Sequence, residues 1–123
     1  MSVVPENLQY TKDHEWAKVE NTVATIGVTD HAQRELGDIV FVELPKVGAK
    51  VQAGESFGTI EAVKTVAELY SPVTGTILEV NGSLASDAGV INQDPYGTGW
   101  IIKINIEKPS DELMDAASYK ALI

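Results

Sequence analysis

Short apolar segments recur about every dozen residues, and turn-forming residues separate them. The segments are rich in β-branched and aromatic residues and end near glycine, proline or asparagine, which is typical of strands joined by turns. The pattern predicts strands at 14–20, 23–28, 38–44, 57–63, 76–80 and 100–106. The glycine-rich stretch 81–99 predicts a long ordered loop. Together these features indicate a mainly β fold, a small sandwich or barrel with helices added.

Two helices are predicted from their end signals. Thr29 is a good N-cap residue, and Gly37 stands where a helix would end, which predicts a short internal helix at 30–36. Near the C-terminus, Ser110 precedes two carboxylates that would occupy a first helical turn. This predicts a C-terminal helix at about 110–122.

The segment 61–68 fits two structures. Its apolar residues recur at helical spacing, and Lys64 lies between Glu61 and Glu68 as on the exposed face of an amphipathic helix. The segment is also rich in β-branched residues, with Gly58 before it and a Ser-Pro pair after it. These features favour two strands with Lys64 at the tip of a hairpin. The pattern alone leaves both structures open.

Composition limits the kinds of partner. The chain has 123 residues, and its 9 basic and 18 acidic side chains give a net charge of −9. This excess would repel nucleic acids and anionic lipid surfaces, so we expect neither as a partner. The length fits one domain, and we expect residues 1–123 to form it. Cysteine is absent, which excludes disulfides and thiolate zinc sites.

Targeting signals are also missing from the sequence. The first residues lack the basic and apolar regions of a secretory signal, and Arg34 is the only arginine. No apolar run approaches the roughly 20 residues that a membrane-spanning helix needs. We therefore expect a cytoplasmic protein with no membrane association.

No motif in the chain indicates catalysis by protein side chains. Residues 54–58 have the Gly-x-Ser-x-Gly spacing of a hydrolase nucleophile, but both histidines precede them and the chain is too short for that fold. His14 and His31 have acidic neighbours, yet adjacent strand residues point to opposite faces and no metal-ligand spacing is present. We expect surface histidines, no catalytic residue and no metal site.

The chain resembles the H-protein of the glycine cleavage system, a family of lipoyl carriers, from about Tyr10 to Ile123. The resemblance rests on the order and spacing of several blocks: His14-Glu-Trp16, Ile26-Gly-Val-Thr-Asp-His-Ala-Gln33, Leu36-Gly-Asp-Ile-Val-Phe-Val-Glu-Leu-Pro45, Gly58-Thr-Ile-Glu-Ala-Val-Lys64, Tyr70-Ser-Pro-Val-Thr-Gly75 and Ile91-Asn-Gln-Asp-Pro-Tyr96. It implies a barrel-sandwich hybrid of the lipoyl/biotinyl type. It also implies that Lys64 lies on a hairpin at about 57–70 rather than on a helix.

The resemblance assigns roles to five residues. Lys64 matches the lysine that carries lipoic acid through an amide, and Glu61 matches the glutamate that marks this lysine for lipoylating enzymes. Glu15 matches a glutamate that faces the cleft sheltering the loaded arm. Asp13 lies beside it, and Glu68 stands where an acidic residue approaches the same cleft. The cofactor is thus expected to be lipoic acid, covalently attached to Lys64.

The function implied by this resemblance is that of a non-catalytic shuttle. The arm would take an aminomethyl group from the pyridoxal-phosphate-dependent glycine decarboxylase (P-protein) to the tetrahydrofolate-dependent aminomethyltransferase (T-protein). Dihydrolipoamide dehydrogenase (L-protein) would then reoxidise the arm. Lipoylating enzymes complete the expected set of partners.

Two alternatives use the same lysine. A lipoate-relay protein would donate its lipoyl group to other lipoyl domains, and this role is compatible with the shuttle. A biotinyl carrier shares the fold but usually has methionine on both sides of its lysine. Here Val63 and Thr65 flank Lys64, which argues against biotin.

Overall fold

The computed structural model describes residues 2–108 and 110–123. Within these ranges the chain forms nine strands, three α-helices and one 3₁₀ helix. In chain order the elements are β1 (Gln9–Tyr10), β2 (Glu15–Glu20), β3 (Val23–Val28), α1 (Asp30–Leu36), β4 (Ile39–Glu43), β5 (Lys50–Val51), β6 (Ser56–Ala62), β7 (Val66–Tyr70), β8 (Thr74–Val80), the 3₁₀ helix (Gly82–Ala85), α2 (Val90–Gln93), β9 (Ile102–Lys108) and α3 (Ala116–Leu122).

The strands form two antiparallel sheets that share one apolar core. The larger sheet has the order β1-β2-β3-β9-β8-β5, and the smaller has the order β4-β6-β7. Alternate residues of the strands point inward, as expected when one face of each sheet is buried. Both sheets contribute to the core, which includes Ile26, Ile77, Ile104, Val42, Ile60 and Leu69. The mainly β fold is confirmed, with two sheets in the described residues rather than one closed barrel.

The internal helix is confirmed where the end signals predicted it. The Thr29 hydroxyl accepts a hydrogen bond from the backbone N–H of Ala32 at 3.1 Å, and the helix ends at Gly37 with φ of 79°. The stretch predicted as a long ordered loop over 81–99 contains two short helices that were not predicted, the 3₁₀ helix and α2.

The C-terminal helix is shorter than predicted, and Ser110 does not cap it. Helix α3 begins at Ala116, and its N-cap is Asp115, whose carboxylate accepts from the backbone N–H of Ser118 at 2.8 Å. Met114 cannot join the helix because its backbone N–H and C=O both pair with Tyr10, at 2.7 and 2.8 Å. The predicted boundary of 110 is therefore wrong, since strand-like pairing occupies the backbone just before α3.

The segment around Lys64 is a hairpin, and the helical alternative is wrong. Strands β6 and β7 pair from Ser56↔Tyr70 to Glu61↔Val66, which leaves residues 63–65 in the connecting turn. This register buries Ile60 and Leu69 in the core. Burial of alternate residues, rather than of a helical stripe, decides the structure. Among the described residues, no helix is long and apolar enough to cross a membrane.

Candidate functional site

Lys64 lies in a turn that backbone hydrogen bonds fix from two sides. The N–H of Ala62 donates to the carbonyl of Thr65 at 2.8 Å, which closes the turn within the hairpin. The N–H of Val63 donates to the carbonyl of Asp38 at 2.9 Å, which ties the turn to the residue before β4. Lys64 itself is exposed. The exposed lysine is thus displayed from a backbone that is fixed on two sides.

The stem of Lys64 lies over Gly37, the residue that ends α1. A Cβ placed on Gly37 would lie 3.4 Å from Lys64 Cε and 3.9 Å from Nζ. The glycine thus leaves the surface flat beneath the lysine methylenes. Because Leu36, the preceding residue, lines a cleft, the far end of the stem lies beside a residue next to that cleft.

The cleft has a volume of about 160 Å³ and lies between the start of β2, helix α1 and strand β7. Its wall is mostly apolar and includes Leu36 and Ile60. Four carboxylate residues also line it: Asp13, Glu15, Glu35 and Glu68. An apolar pocket that contains carboxylates suits a ligand with an apolar body and a cationic end.

Glu15 is the buried carboxylate of this cleft, with only 2% of its surface exposed. The Thr11 hydroxyl donates to its Oε1 at 2.7 Å, and the backbone N–H of Tyr70 donates to its Oε2 at 3.2 Å. Burial outweighs these hydrogen bonds and raises the pKa of Glu15 to about 8. With this pKa the carboxyl group of Glu15 is largely protonated near neutral pH. A cation entering the cleft would favour its ionised form.

The other two acidic residues assigned to the cleft are exposed. Asp13 lies one turn before β2, and its backbone N–H donates to the Thr11 hydroxyl at 3.2 Å. The carboxylate of Glu68 accepts from the Ser56 hydroxyl at 2.6 Å on the neighbouring strand. Asp13, Glu15 and Glu68 thus line one cleft although up to 55 positions separate them in the sequence. Glu61 lies elsewhere, on the outer face of the hairpin sheet.

The histidines are brought together, which local spacing did not predict. The rings of His14 and His31 have centroids 4.7 Å apart, and His14 Nδ1 lies 2.8 Å from the Tyr119 hydroxyl. Burial, and next the neighbouring His31, lower the pKa of His14. Both rings are partly buried, so the expectation of surface histidines is wrong in this respect. The contact depends on α1 and α3 packing beside β2, and no sequence motif signals it.

Other predicted chemistry is accounted for by local structure. Ser56, from the Gly-x-Ser-x-Gly stretch, begins strand β6 and bonds to Glu68 instead of a histidine. In the described ranges, no group of three or more histidine and acidic side chains is arranged to hold a metal ion. The exposed amine of Lys64 could hold a covalently attached group.

Comparisons with known proteins agree with this geometry. The family model described as glycine cleavage H-protein matches residues 8–123. The chain belongs to this family. It is 59% identical to the glycine cleavage system H protein of Chlorobium limicola, covering 98% of the chain and 97% of that protein. It is 56% identical to the protein of the same name from Rubrobacter xylanophilus, covering 92% and 90%.

The fold agrees with that of a solved member of the family. The crystal structure of a glycine cleavage system H protein from Mycobacterium marinum matches with a TM-score of 0.91 and 40% identity. The match covers 96% of the chain and 97% of that structure. The two-sheet architecture with its added helices is therefore the fold of glycine cleavage H-proteins.

Proposed function

We propose that this protein is the lipoyl carrier of a glycine cleavage system, with lipoic acid joined by an amide to Nζ of Lys64. The observation that carries the proposal is the placement of an exposed lysine, on a fixed hairpin turn, beside an acidic cleft. Nearly full-length similarity to glycine cleavage H-proteins supports it. Bound lipoic acid supplies a disulfide that accepts and carries the aminomethyl group.

The residues around Lys64 fit an attached arm. Acylation removes the charge of the lysine, so the arm can enter apolar active sites without the cost of desolvating an ammonium. Gly37 lets the stem lie flat toward the cleft. Glu61, three residues before Lys64, is proposed as the mark by which lipoylating enzymes recognise the hairpin. No protein thiol competes with the cofactor sulfurs, since the sequence has no cysteine.

The cleft holds the loaded end of the arm. The carried aminomethyl group has a cationic amine, and Glu15 is the buried carboxyl that can pair with it. Burying an ammonium beside an ionised Glu15 offsets the desolvation of both groups, and the proton leaves the carboxyl as the amine arrives. Asp13 and Glu68, at the exposed edge, add negative potential. The chain itself thus shelters the carried group and performs no catalysis.

The partners in this proposal follow from the cycle. Glycine decarboxylase loads the arm, aminomethyltransferase unloads it to tetrahydrofolate, and dihydrolipoamide dehydrogenase reoxidises it. Lipoylating enzymes attach the cofactor beforehand. The net charge of −9 favours partners with basic faces and speeds their encounter at low salt.

Intact-mass spectrometry with a lipoylating enzyme tests the attachment. The wild-type protein should gain one lipoyl group, and Lys64→Arg should gain none because an arginine cannot form this amide. Lys46→Arg is the matched control, since Lys46 is also exposed and near a turn. It should be modified like the wild type. Addition at another lysine, or none in the wild type, would show the proposal to be wrong.

A further inference from the structure

Two buried tyrosines stack on each other between the C-terminal helix and strand β1. Tyr119 of α3 and Tyr10 of β1 are both fully buried, with ring centroids 4.7 Å apart and ring planes 8° apart. The Tyr10 hydroxyl donates to the carbonyl of Pro5, near the N-terminus, at 2.6 Å. The Tyr119 hydroxyl lies 2.8 Å from His14 Nδ1 and 2.8 Å from Thr29 Oγ1. The two side chains are thus alike in packing and differ in what their hydroxyls contact.

The two residues that the Tyr119 hydroxyl contacts belong to two different walls of the cleft. His14 lines the cleft itself and immediately precedes the buried Glu15. Thr29 is the N-cap of α1, the helix whose Leu36 lines another side. The Thr29 N–H also donates to the His14 carbonyl at 3.0 Å, so backbone and side chains join the same two walls. Tyr119 is not among the residues that line the cleft, so its influence on the cleft passes through these contacts.

One arrangement of the hydrogen bonds at Tyr119 gives each hydroxyl hydrogen an acceptor. Thr29 Oγ1 already accepts from the backbone N–H of Ala32, and its own hydrogen can be donated to the Tyr119 oxygen. The Tyr119 hydrogen then goes to His14 Nδ1, which requires a neutral imidazole protonated at Nε2. Burial, and next the neighbouring His31, lower the pKa of His14 and favour this neutral ring. Burial also raises the pKa of Tyr119, so its hydroxyl keeps the hydrogen that it donates.

We propose that Tyr119 is a positioning residue whose hydroxyl holds the β2 wall and the α1 wall of the cleft at a fixed separation. Its importance for the carried group rests on the function proposed above. Without the hydroxyl, the ring would still stack on Tyr10, but the side chains of His14 and Thr29 would lose the group that joins them. The two walls would then separate more often, and water would reach the contents of the cleft.

Amide hydrogen exchange measured by NMR tests whether the hydroxyl fixes the walls. In Tyr119→Phe, the Thr29 N–H should exchange about tenfold faster relative to the N–H of Ile101, because the walls open locally more often. The Ile101 N–H donates to the Ile26 carbonyl at 2.8 Å, and neither residue lines the cleft. The ratio of the two exchange rates therefore reports local opening of the cleft walls.

Tyr10→Phe is the matched control for this ratio. It removes an equally buried hydroxyl from the same stacked pair, but that hydroxyl bonds to Pro5, which does not line the cleft. A general loss of stability would change the ratio alike in both tyrosine variants. In Tyr10→Phe the ratio should stay within about twofold of the wild-type value. A wild-type ratio in Tyr119→Phe, or an equal rise in both variants, would overturn the proposal.

The rate at which the loaded, isolated protein loses its aminomethyl group tests whether the wall separation matters for the carried group. After loading by glycine decarboxylase, intact mass over time should show about fivefold faster loss from Tyr119→Phe than from the wild type. Tyr10→Phe should lose the group at the wild-type rate. Lys64 should be lipoylated normally in both variants, since its turn is held by other contacts.

The two measurements keep this proposal separate from the carrier function. Unchanged loss of the aminomethyl group from Tyr119→Phe would overturn the positioning role and leave the carrier function standing. If wild-type Lys64 is never lipoylated, the carrier function fails, and the exchange ratio by itself decides whether Tyr119 fixes the walls of the cleft.

Discussion

The hairpin turn exposes its ionisable side chain to solvent, whereas the cleft beside it buries one. Lys64 is exposed on a turn whose backbone is held by Asp38 and Thr65. Glu15 is buried among apolar walls, where two hydrogen bonds do not outweigh its desolvation. The exposed group can carry its charge at little cost, and the buried group cannot. The turn displays an amine to solvent, and the cleft withdraws a carboxyl group from it.

The difference shows that a small fold can keep an exposed amine and a buried carboxyl group close to one another. In the proposed function, the fixed turn would make the attachment point recognisable, and the buried Glu15 would accept a cation by losing its proton to solvent. The two regions meet at the end of α1, where Leu36 lines the cleft and Gly37 lies under the lysine stem. Variants in each region should therefore have separable effects.

The largest expected effect is a pH dependence of stability due to Glu15. Its pKa is raised to about 8 in the folded chain, above the unfolded value near 4.5, so the folded state binds the proton more tightly. The stability contributed by this proton is fully present below about pH 4.5. It is lost as pH rises toward 8, by about 1.4 kcal/mol per unit between the two pKa values.

Urea unfolding at pH 5, 6, 7 and 8 measures this dependence. The free energy of unfolding of the wild type should fall by on the order of 4 kcal/mol more than that of Glu15→Gln over the range. The amide cannot titrate but can occupy the same site. Glu20→Gln, at the exposed end of the same strand, should keep the wild-type slope. Equal slopes for the wild type and Glu15→Gln would show that the cleft does not store a proton.

A second effect concerns the carried group. Glu15→Gln removes the only buried carboxylate among the described cleft residues, so the cationic amine loses a charge-assisted partner worth about 2–3 kcal/mol. Spontaneous loss of the aminomethyl group from the loaded, isolated protein should become roughly 30-fold to 160-fold faster. Intact mass over time measures the loss. Glu20→Gln again serves as the control, and unchanged release from Glu15→Gln would contradict the sheltering role.

The sequence predicted the elements that depend on local signals. Helix α1 has its cap at Thr29 and its end at Gly37, and both signals lie within the segment. The hairpin at Lys64 was different, because helical spacing and β-branched residues competed there. Pairing of β6 with β4 and the burial of Ile60 decide for the hairpin, and neither can be seen in a short stretch of sequence. The β-branched residues favoured the hairpin, but only the family resemblance decided for it in advance.

Long-range contacts explain the remaining differences between the predicted and the observed structure. Ser110 and two carboxylates looked like a helix start, but pairing of Met114 with Tyr10 delays α3. Likewise, the rings of His14 and His31 meet only because helices pack beside β2. Glu35 lines the cleft, and no sequence motif predicted this position. Phe41 is exposed because of a bulge in β4, which strict alternation would not predict. A local sequence pattern does not show which backbone N–H and C=O groups will pair with distant segments.

The smallest effect is expected at Gly37, where the two regions meet. Its φ of 79° and ψ of −152° lie in a region that residues with a Cβ rarely adopt. Gly37→Ala should therefore lower the free energy of unfolding by on the order of 1–2 kcal/mol. The new methyl group would lie 3.4 Å from Lys64 Cε, an ordinary contact that a flexible stem tolerates. Lipoylation of Lys64 should keep its wild-type rate.

Urea unfolding and lipoylation kinetics on the same preparation separate these outcomes. Gly82→Ala is the control, because its Cβ would meet nothing within 4 Å and its φ is not positive. It should leave the unfolding free energy nearly unchanged. A loss of stability in Gly37→Ala with normal lipoylation would show that the end of α1 fixes the cleft wall while Lys64 stays independently accessible. Slow lipoylation of a stable Gly37→Ala would instead mean that the turn and the cleft wall act as one unit.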